Sequence, residues 1–489
     1  MSAPPAFPPI TTSPQHFIDT RFSPAATGAT LPMVDPSDGT PFAAIAYGTA
    51  EDVDRAVAAA RRAFDGSWGR LAPAEKGRLL ARLGRAIGDH AEELALIEAR
   101  DCGKPLKQAR ADAAACARYF EFYGGASDKF HGETIPYPAG YTVLTWREPH
   151  GVTGHIIPWN YPAQMFGRTL GAALATGNAT VLKPAEEACL SIVRLTQLAA
   201  EIGFPAGTIN LVTGYGEEAG AALSSHKDID FLSFTGSPEV GTLVQRSAAE
   251  NHVPCVLELG GKSPQLVFED ADLEKALPVV INAIIQNAGQ TCSAGSRVLV
   301  QRSIYEKVVG ALAARMNAVR VGPHEADLDC GPVISKIQHE RVMGFLERAR
   351  KDGIPVLGEG RLDERSAQGG FFVKPTLLGP VPLDHELAYE EVFGPVLVVI
   401  PFDDENDAVR IANGTEYGLI AGVWSANGAR QIRVAKKLRV GQVYVNGYGA
   451  GGGIELPFGG FKRSGHGREK GFEALREYTV AKTIVLNHG

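Results

Sequence analysis

Two residues of this chain have types and settings suited to covalent chemistry. Cys292 lies in the run Gly289-Gln290-Thr291-Cys292-Ser293-Ala294-Gly295-Ser296-Arg297. Upstream, Glu258 opens Glu258-Leu259-Gly260-Gly261-Lys262-Ser263-Pro264. A thiol among small and polar residues can attack an electrophile that enters a cleft. A carboxylate beside a glycine pair can approach the same cleft without steric cover. Together they fit a thiolate nucleophile and a separate base that activates water.

The other potentially reactive side chains carry weaker readings. Cys102, Cys116, Cys189, Cys255 and Cys330 read as small buried apolar residues. The twelve histidines show no metal-ligand spacing, so no metal site is expected. Six cysteines without a C-x-x-C pair in 489 residues suit a reducing cytoplasm better than a disulfide framework. The net charge of −7 leaves no basic footprint and argues against nucleic acid or an anionic membrane as partner. No segment reaches the roughly 18–20 apolar residues that span a bilayer. The apolar stretch 276–285, interrupted by Pro278 and Asn282, reads as a buried helix. The proline-rich start, residues 1–15, reads as a loose arm, not a signal peptide.

Positioning these groups takes more than one core. At 489 residues the chain should divide into two or three domains. Residues 51–118 show helical spacing, with Glu51 and Asp52 at the first N-terminus, where acids are favoured. Thr134-Ile135-Pro136-Tyr137 and the segment 141–146 flank Pro138-Ala139-Gly140, a hairpin signal. From 151 to 270 short apolar strands alternate with helical segments, the pattern of a doubly wound parallel sheet. Pro158-Trp159-Asn160, Lys183-Pro184-Ala185-Glu186, Thr235-Gly236-Ser237 and Glu258-Leu259-Gly260-Gly261 each follow a strand's carboxyl end. That edge is where open α/β sheets bind ligands. A second α/β unit covers about 260–465, with strands near 297–301, 396–401, 422–424 and 443–446, and the chain closes on a strand at 481–486.

Several motifs admit a structural or a ligand-binding reading. Gly214-x-Gly216-x-x-x-Gly220 follows a strand and fits either a phosphate site or close helix packing. Lys183 and Glu186 are either a solvated pair at a helix start or contacts to ribose hydroxyls. In the second case the charge of Glu186 disfavours an added 2′-phosphate. Asn160 is a turn or capping residue, unless the flanking Trp159 and prolines fix its amide for an oxyanion. The acidic run at 403–405 and Lys436-Lys437 read as solvated faces.

The chain resembles the NAD(P)-dependent aldehyde dehydrogenase superfamily over nearly its whole length. The resemblance rests on seven motifs in order: Pro158-Trp159-Asn160, Lys183-Pro184-Ala185-Glu186, Phe234-Thr235-Gly236-Ser237, Glu258-Leu259-Gly260-Gly261-Lys262, Gly289-Gln290-Thr291-Cys292, Glu391-Val392-Phe393-Gly394-Pro395 and Pro457-Phe458-Gly459-Gly460-Phe461-Lys462. It implies an α/β fold with a Rossmann-like, doubly wound NAD-binding domain (1–127 and 149–259). A second, thiol-bearing catalytic α/β domain (260–465) and a β oligomerisation arm (128–148 and 466–489) complete it. It implies Cys292 as nucleophile, Glu258 as base and Asn160 as oxyanion donor. It places the cofactor, NAD rather than NADP, against Ile156, Pro158, Trp159, Lys183, Glu186, Gly216, Gly220, Gly236, Ser237, Gly260, Glu391 and Phe393. Glu469 matches a proton-relay position. Arg168, Tyr161, Met165, Thr291 and Phe458 would meet a small-molecule aldehyde, in a homodimer or homotetramer.

Glu258 favours hydrolysis over transfer of the acyl group to coenzyme A, because acyl-transferring relatives generally lack a glutamate there. Arg168 stands where many relatives carry tryptophan. It would be either a fork for a substrate carboxylate, implying an acidic semialdehyde, or an arginine turned to the surface or to a neighbouring subunit. The glycine-rich loop from Tyr448 to Glu455 points instead to a wide mouth that admits bulky or aromatic aldehydes, and Glu455, turned inward, would repel an acid.

Overall fold

The computed structural model describes residues 15–366, 369–449 and 453–489. The glycine loop at 450–452 and all but the last residue of the N-terminal arm lie outside them.

The alternating segment builds an eight-stranded sheet. Its five central strands, Ile209–Leu211, Ala179–Pro184, Val152–Ile157, Phe231–Thr235 and Cys255–Glu258, run parallel in that spatial order. Every position of Val152–Ile157 and Ala179–Pro184 is buried. That explains their unbroken apolar character, since a parallel sheet is covered by helices on both faces. The expected helices at 51–118 are Ala50–Asp65, Pro73–Asp89, Ala91–Cys102 and Leu106–Ala126. Helix Pro162–Ala175 packs against Leu106–Ala126 and carries Arg168.

The second sheet has seven strands. Val356–Glu359, Thr376–Leu378, Val396–Phe402, Arg297–Gln301, Pro264–Val267, Ile420–Trp424 and Gln442–Val445 lie side by side, with the first antiparallel to the rest. Pro264–Val267, Thr376–Leu378 and Val356–Glu359 are too short to carry a period in the sequence and were not foreseen. Helix Leu273–Ile285 forms over the apolar stretch despite Pro278. Each sheet has its own apolar core, one around Phe166, Leu182 and Leu232, the other around Leu299, Leu312 and Val398.

The two sheets are tied by the late chain. Gly465–His466 returns to pair antiparallel with Leu257 and Glu258 at the edge of the first sheet. Beyond it, Thr479–Asn487 pairs along Tyr141–Pro149, whose other edge takes Glu133–Ile135. The expected hairpin and terminal strand are thus one three-stranded arm. Among the described residues no helix is long and apolar enough to cross a membrane. All six cysteines are unpaired, and Cys255 departs from expectation in being only half-buried.

Candidate active site

A cleft of about 600 Å³ opens at the carboxyl ends of the central strands. Pro158, Trp159, Asn160, Tyr161, Met165, Arg168, Gly236, Ser237, Gly260, Thr291, Cys292, Glu391, Phe393 and Phe458 line it. Ile156, Lys183, Glu186, Gly216, Gly220, Glu258 and Glu469 do not line it. Lys183 and Glu186 pair with each other at 2.9 Å. Gly216 and Gly220 flank the Lys183 side chain, at about van der Waals distance from the space a Cβ would fill.

Asn160 is fixed from behind. Its carbonyl accepts from Lys104 Nζ at 2.9 Å and from Asn287 Nδ2 at 2.8 Å. The preceding carbonyl, of Trp159, accepts from the Cys102 thiol. The Asn160 amide donates to the Gln290 carbonyl at 2.9 Å, two residues before Cys292. Tyr161 Oη bonds Thr291 Oγ1 at 2.7 Å, next to the thiol. Lys104 is itself buried, held by Glu98 at 2.9 Å and Asp112 at 2.6 Å. Neither Lys104 nor Asn287 belongs to any of the motifs described above. The available signal was Lys104 between two helices, with acids at 98 and 112 to neutralise it.

The glycines of the second motif serve close approach. A Cβ on Gly260 would lie 2.2 Å from the Glu391 carboxylate, and one on Gly261 would lie 2.5 Å from the Cys292 carbonyl. The Gly261 N–H donates to Glu391 Oε1 at 2.9 Å. Burial nevertheless pushes the Glu391 carboxyl up to about 7. The ring of Phe393, at φ +57°, meets Trp159 edge to face. Gly289, at φ +73°, rests on Gly394, whose carbonyl would stand 2.1 Å from a Cβ there. Ser237 caps helix Pro238–Glu250 by accepting from the Val240 N–H, which leaves that N-terminus on the cleft wall.

Arg168 lines the cleft, but its charge is engaged. The guanidinium forms a close ion pair with Glu469 and lies 3.5 Å from Glu258. It sits 4.4 Å from the centre of the Phe458 ring. Backbone hydrogen bonds of 2.7 and 2.8 Å join Phe458 to Glu469 and hold ring and carboxylate side by side. Glu469 also accepts from Ser233 Oγ at 3.0 Å. Its link to Glu258 therefore runs through Arg168. Burial works against the Arg168 charge, but Glu469 and Glu258 outweigh it and hold the pKa above its usual value.

Burial raises the Glu258 carboxyl well above the usual range, with Arg168 opposing and Glu469 adding to the rise. Burial pushes the Cys292 thiol up to about 11, again against Arg168. Lys470, missed in the sequence although it follows Glu469 directly, lines the cleft 5.1 Å from the Phe458 ring centre. Burial and Arg168 bring it down to about 7. Tyr448 Oη donates to the Ser293 carbonyl and anchors the start of the glycine loop to the thiol loop. Glu455 turns outward to pair with Arg118 at 2.6 Å, so it does not repel an acid inside the cleft.

Known proteins resemble this chain along nearly its whole length. The family model described as the aldehyde dehydrogenase family matches residues 22–484. A Burkholderia cenocepacia crystal structure assigned as an aldehyde dehydrogenase is 64% identical, covering 97% of this chain and 100% of that one, with a TM-score of 0.97. The aldehyde dehydrogenase of Bacillus cereus, solved as its NAD+ complex, is 43% identical over 98% of each chain, with a TM-score of 0.95. An aldehyde dehydrogenase of Aspergillus niger is 43% identical over 470 residues, 96% of this chain and 94% of its own. With a thiol on the cleft wall and likeness along nearly its full length, the chain belongs to the aldehyde dehydrogenase family.

Proposed function

We propose that the chain oxidises an aldehyde to a carboxylic acid, with Cys292 as nucleophile and Glu258 as base. The observation that carries this is one cleft wall on which Asn160 is bonded to Gln290 and Tyr161 to Thr291, so that both fix the loop leading into Cys292.

The Cys292 thiol loses its proton to solvent water in the open cleft, and the sulfur adds to the aldehyde carbon to give a thiohemiacetal. One amide hydrogen of Asn160 is bound to Gln290, and the second is available to the developing oxyanion. Such a donor is typically worth about 3 kcal/mol of barrier. NAD, when bound, would supply the acceptor for a hydride from the thiohemiacetal carbon that Cys292 holds. The resulting thioester is hydrolysed by water deprotonated by Glu258, which releases the acid and the thiol.

The residues fit that cofactor. The N-terminus of helix Pro238–Glu250 presents backbone N–H groups suited to a pyrophosphate. Gly260 clears space beside Glu391, and the Lys183–Glu186 pair suits ribose hydroxyls without a 2′-phosphate. The first sheet with its helices (1–127 and 149–259) would carry the cofactor, and 260–465 the thiol. The three-stranded arm, 133–149 and 479–487 rather than the whole of 466–489, exposes Tyr137, Trp146, Val485 and Leu486, as an oligomer contact requires. Unpaired cysteines suit a reducing cytoplasm.

Of the two substrate classes, the engaged state of Arg168 favours a neutral, bulky or aromatic aldehyde. An acidic semialdehyde would have to draw the guanidinium away from Glu469. Tyr161, Tyr444 and Phe458 supply an aromatic wall. Glu258→Gln tests the mechanism: with aldehyde and NAD it should accumulate a covalent acyl-enzyme visible by intact mass. Absence of the adduct, with Cys292→Ala retaining turnover, rejects the reading.

A further inference from the structure

We propose that Arg168 is a positioning residue for Glu258, holding it as a fixed carboxylate behind the cleft wall by bridging it to Glu469. This rests on the reading of Glu258 as the base. Three observations carry it. Arg168 sits between two buried carboxylates, in close ion pairing with Glu469 and 3.5 Å from Glu258. Both Glu258 oxygens are shielded from solvent and lack a hydrogen-bond partner among the described residues, and the guanidinium stands 3.5 Å away as a compensating charge. Arg168 is itself held, by the Phe458 ring on one side and by Glu469 on the other, with Glu469 fixed by Ser233.

The charges facing this cluster come from every element around it. Helix Pro162–Ala175 contributes Arg168, the segment before helix Gly471–Glu477 contributes Arg468, Glu469 and Lys470, and the thiol loop contributes Cys292. Tyr119, Tyr123 and Tyr478 also face it, and Glu477 lies near Glu469. Without Arg168, two buried carboxylates would share the pocket, and one would take up a proton. A protonated Glu258 cannot accept a proton from water. The arginine thus acts on hydrolysis of the thioester through the state of the base, without touching substrate.

The test isolates that step. p-Nitrophenyl acetate acylates a reactive thiol without NAD, and decay of the acetyl adduct is followed by intact mass across pH. Deacylation needs ionised Glu258, so its rate rises with pH through a midpoint. Arg168→Leu should move that midpoint up by about 1–3 pH units, and Arg168→Lys by less. Glu469→Gln removes the like charge and should move it down. Coincident midpoints for these variants and the parent overturn the proposal. So does a loss in Arg168→Leu confined to carboxylate-bearing aldehydes, since that assigns the arginine to substrate. If Arg168→Leu does not fold, the near-isosteric Glu469→Gln decides. Adduct decay in Glu258→Gln as fast as in the parent would instead reject Glu258 as base.

Discussion

The Lys104 ammonium donates to the carbonyl oxygen of Asn160 at 2.9 Å. The two residues lie on different elements, and Lys104 is anchored by Glu98 and Asp112. Asn287 grips the same carbonyl from the thiol side. The loop carrying Asn160 is therefore clamped from the helical layer and from the Cys292 loop at once.

Lys104→Met should be costly, because it leaves Glu98 and Asp112 buried without their cation. Breaking a buried pair in this way costs about 3–5 kcal/mol. Equilibrium unfolding in urea measures it, and an unchanged midpoint would show that the clamp carries no stability.

Asn160→Ala removes the amide that faces the cleft while leaving the backbone grip of Lys104 in place. The expected result is a fall in kcat of about 10²–10³-fold with KM for the aldehyde little changed. A rise in KM alone would assign Asn160 to ground-state binding.

Gly261→Ala forces a Cβ to within 2.5 Å of the Cys292 carbonyl, so the thiol loop has to shift. Displacement of a reacting group by about 1 Å costs on the order of 10²-fold in rate. Steady-state kcat/KM reads this directly. Gly88→Ala is the control: a Cβ there meets nothing within 4 Å, in the last turn of helix Pro73–Asp89. It should leave kcat/KM as it is and the fold as stable or slightly more so.

The parts of this molecule written locally were legible in the chain. Strand-end motifs such as Pro158-Trp159-Asn160 announce themselves by apolar runs followed by turn residues, and they do stand at one edge of the sheet. Arg168 could be placed on its helix but not in its state, because its partner Glu469 joins it only through the tertiary fold. Lys104 was missed for the same reason, since nothing near it in the sequence mentions Asn160. Gly260 and Gly261 suggested open access to Glu258. In the structure they make room for the Glu391 carboxylate and the Cys292 carbonyl, and Glu258 faces Arg168 instead. Strand Pro264–Val267 went unseen because four residues are too few to show a period.

The contact of Gly289 on Gly394 has a consequence for how this enzyme can diverge. One glycine leads into the thiol loop and the other follows Phe393, and their backbones touch with no side chain between them. A side chain acquired at Gly289 would pry the two loops apart together. The Cys292 loop and the Phe393 wall are thus inherited as a single unit. New substrate preferences have to arise on walls free of that constraint, such as Tyr444 and Phe458.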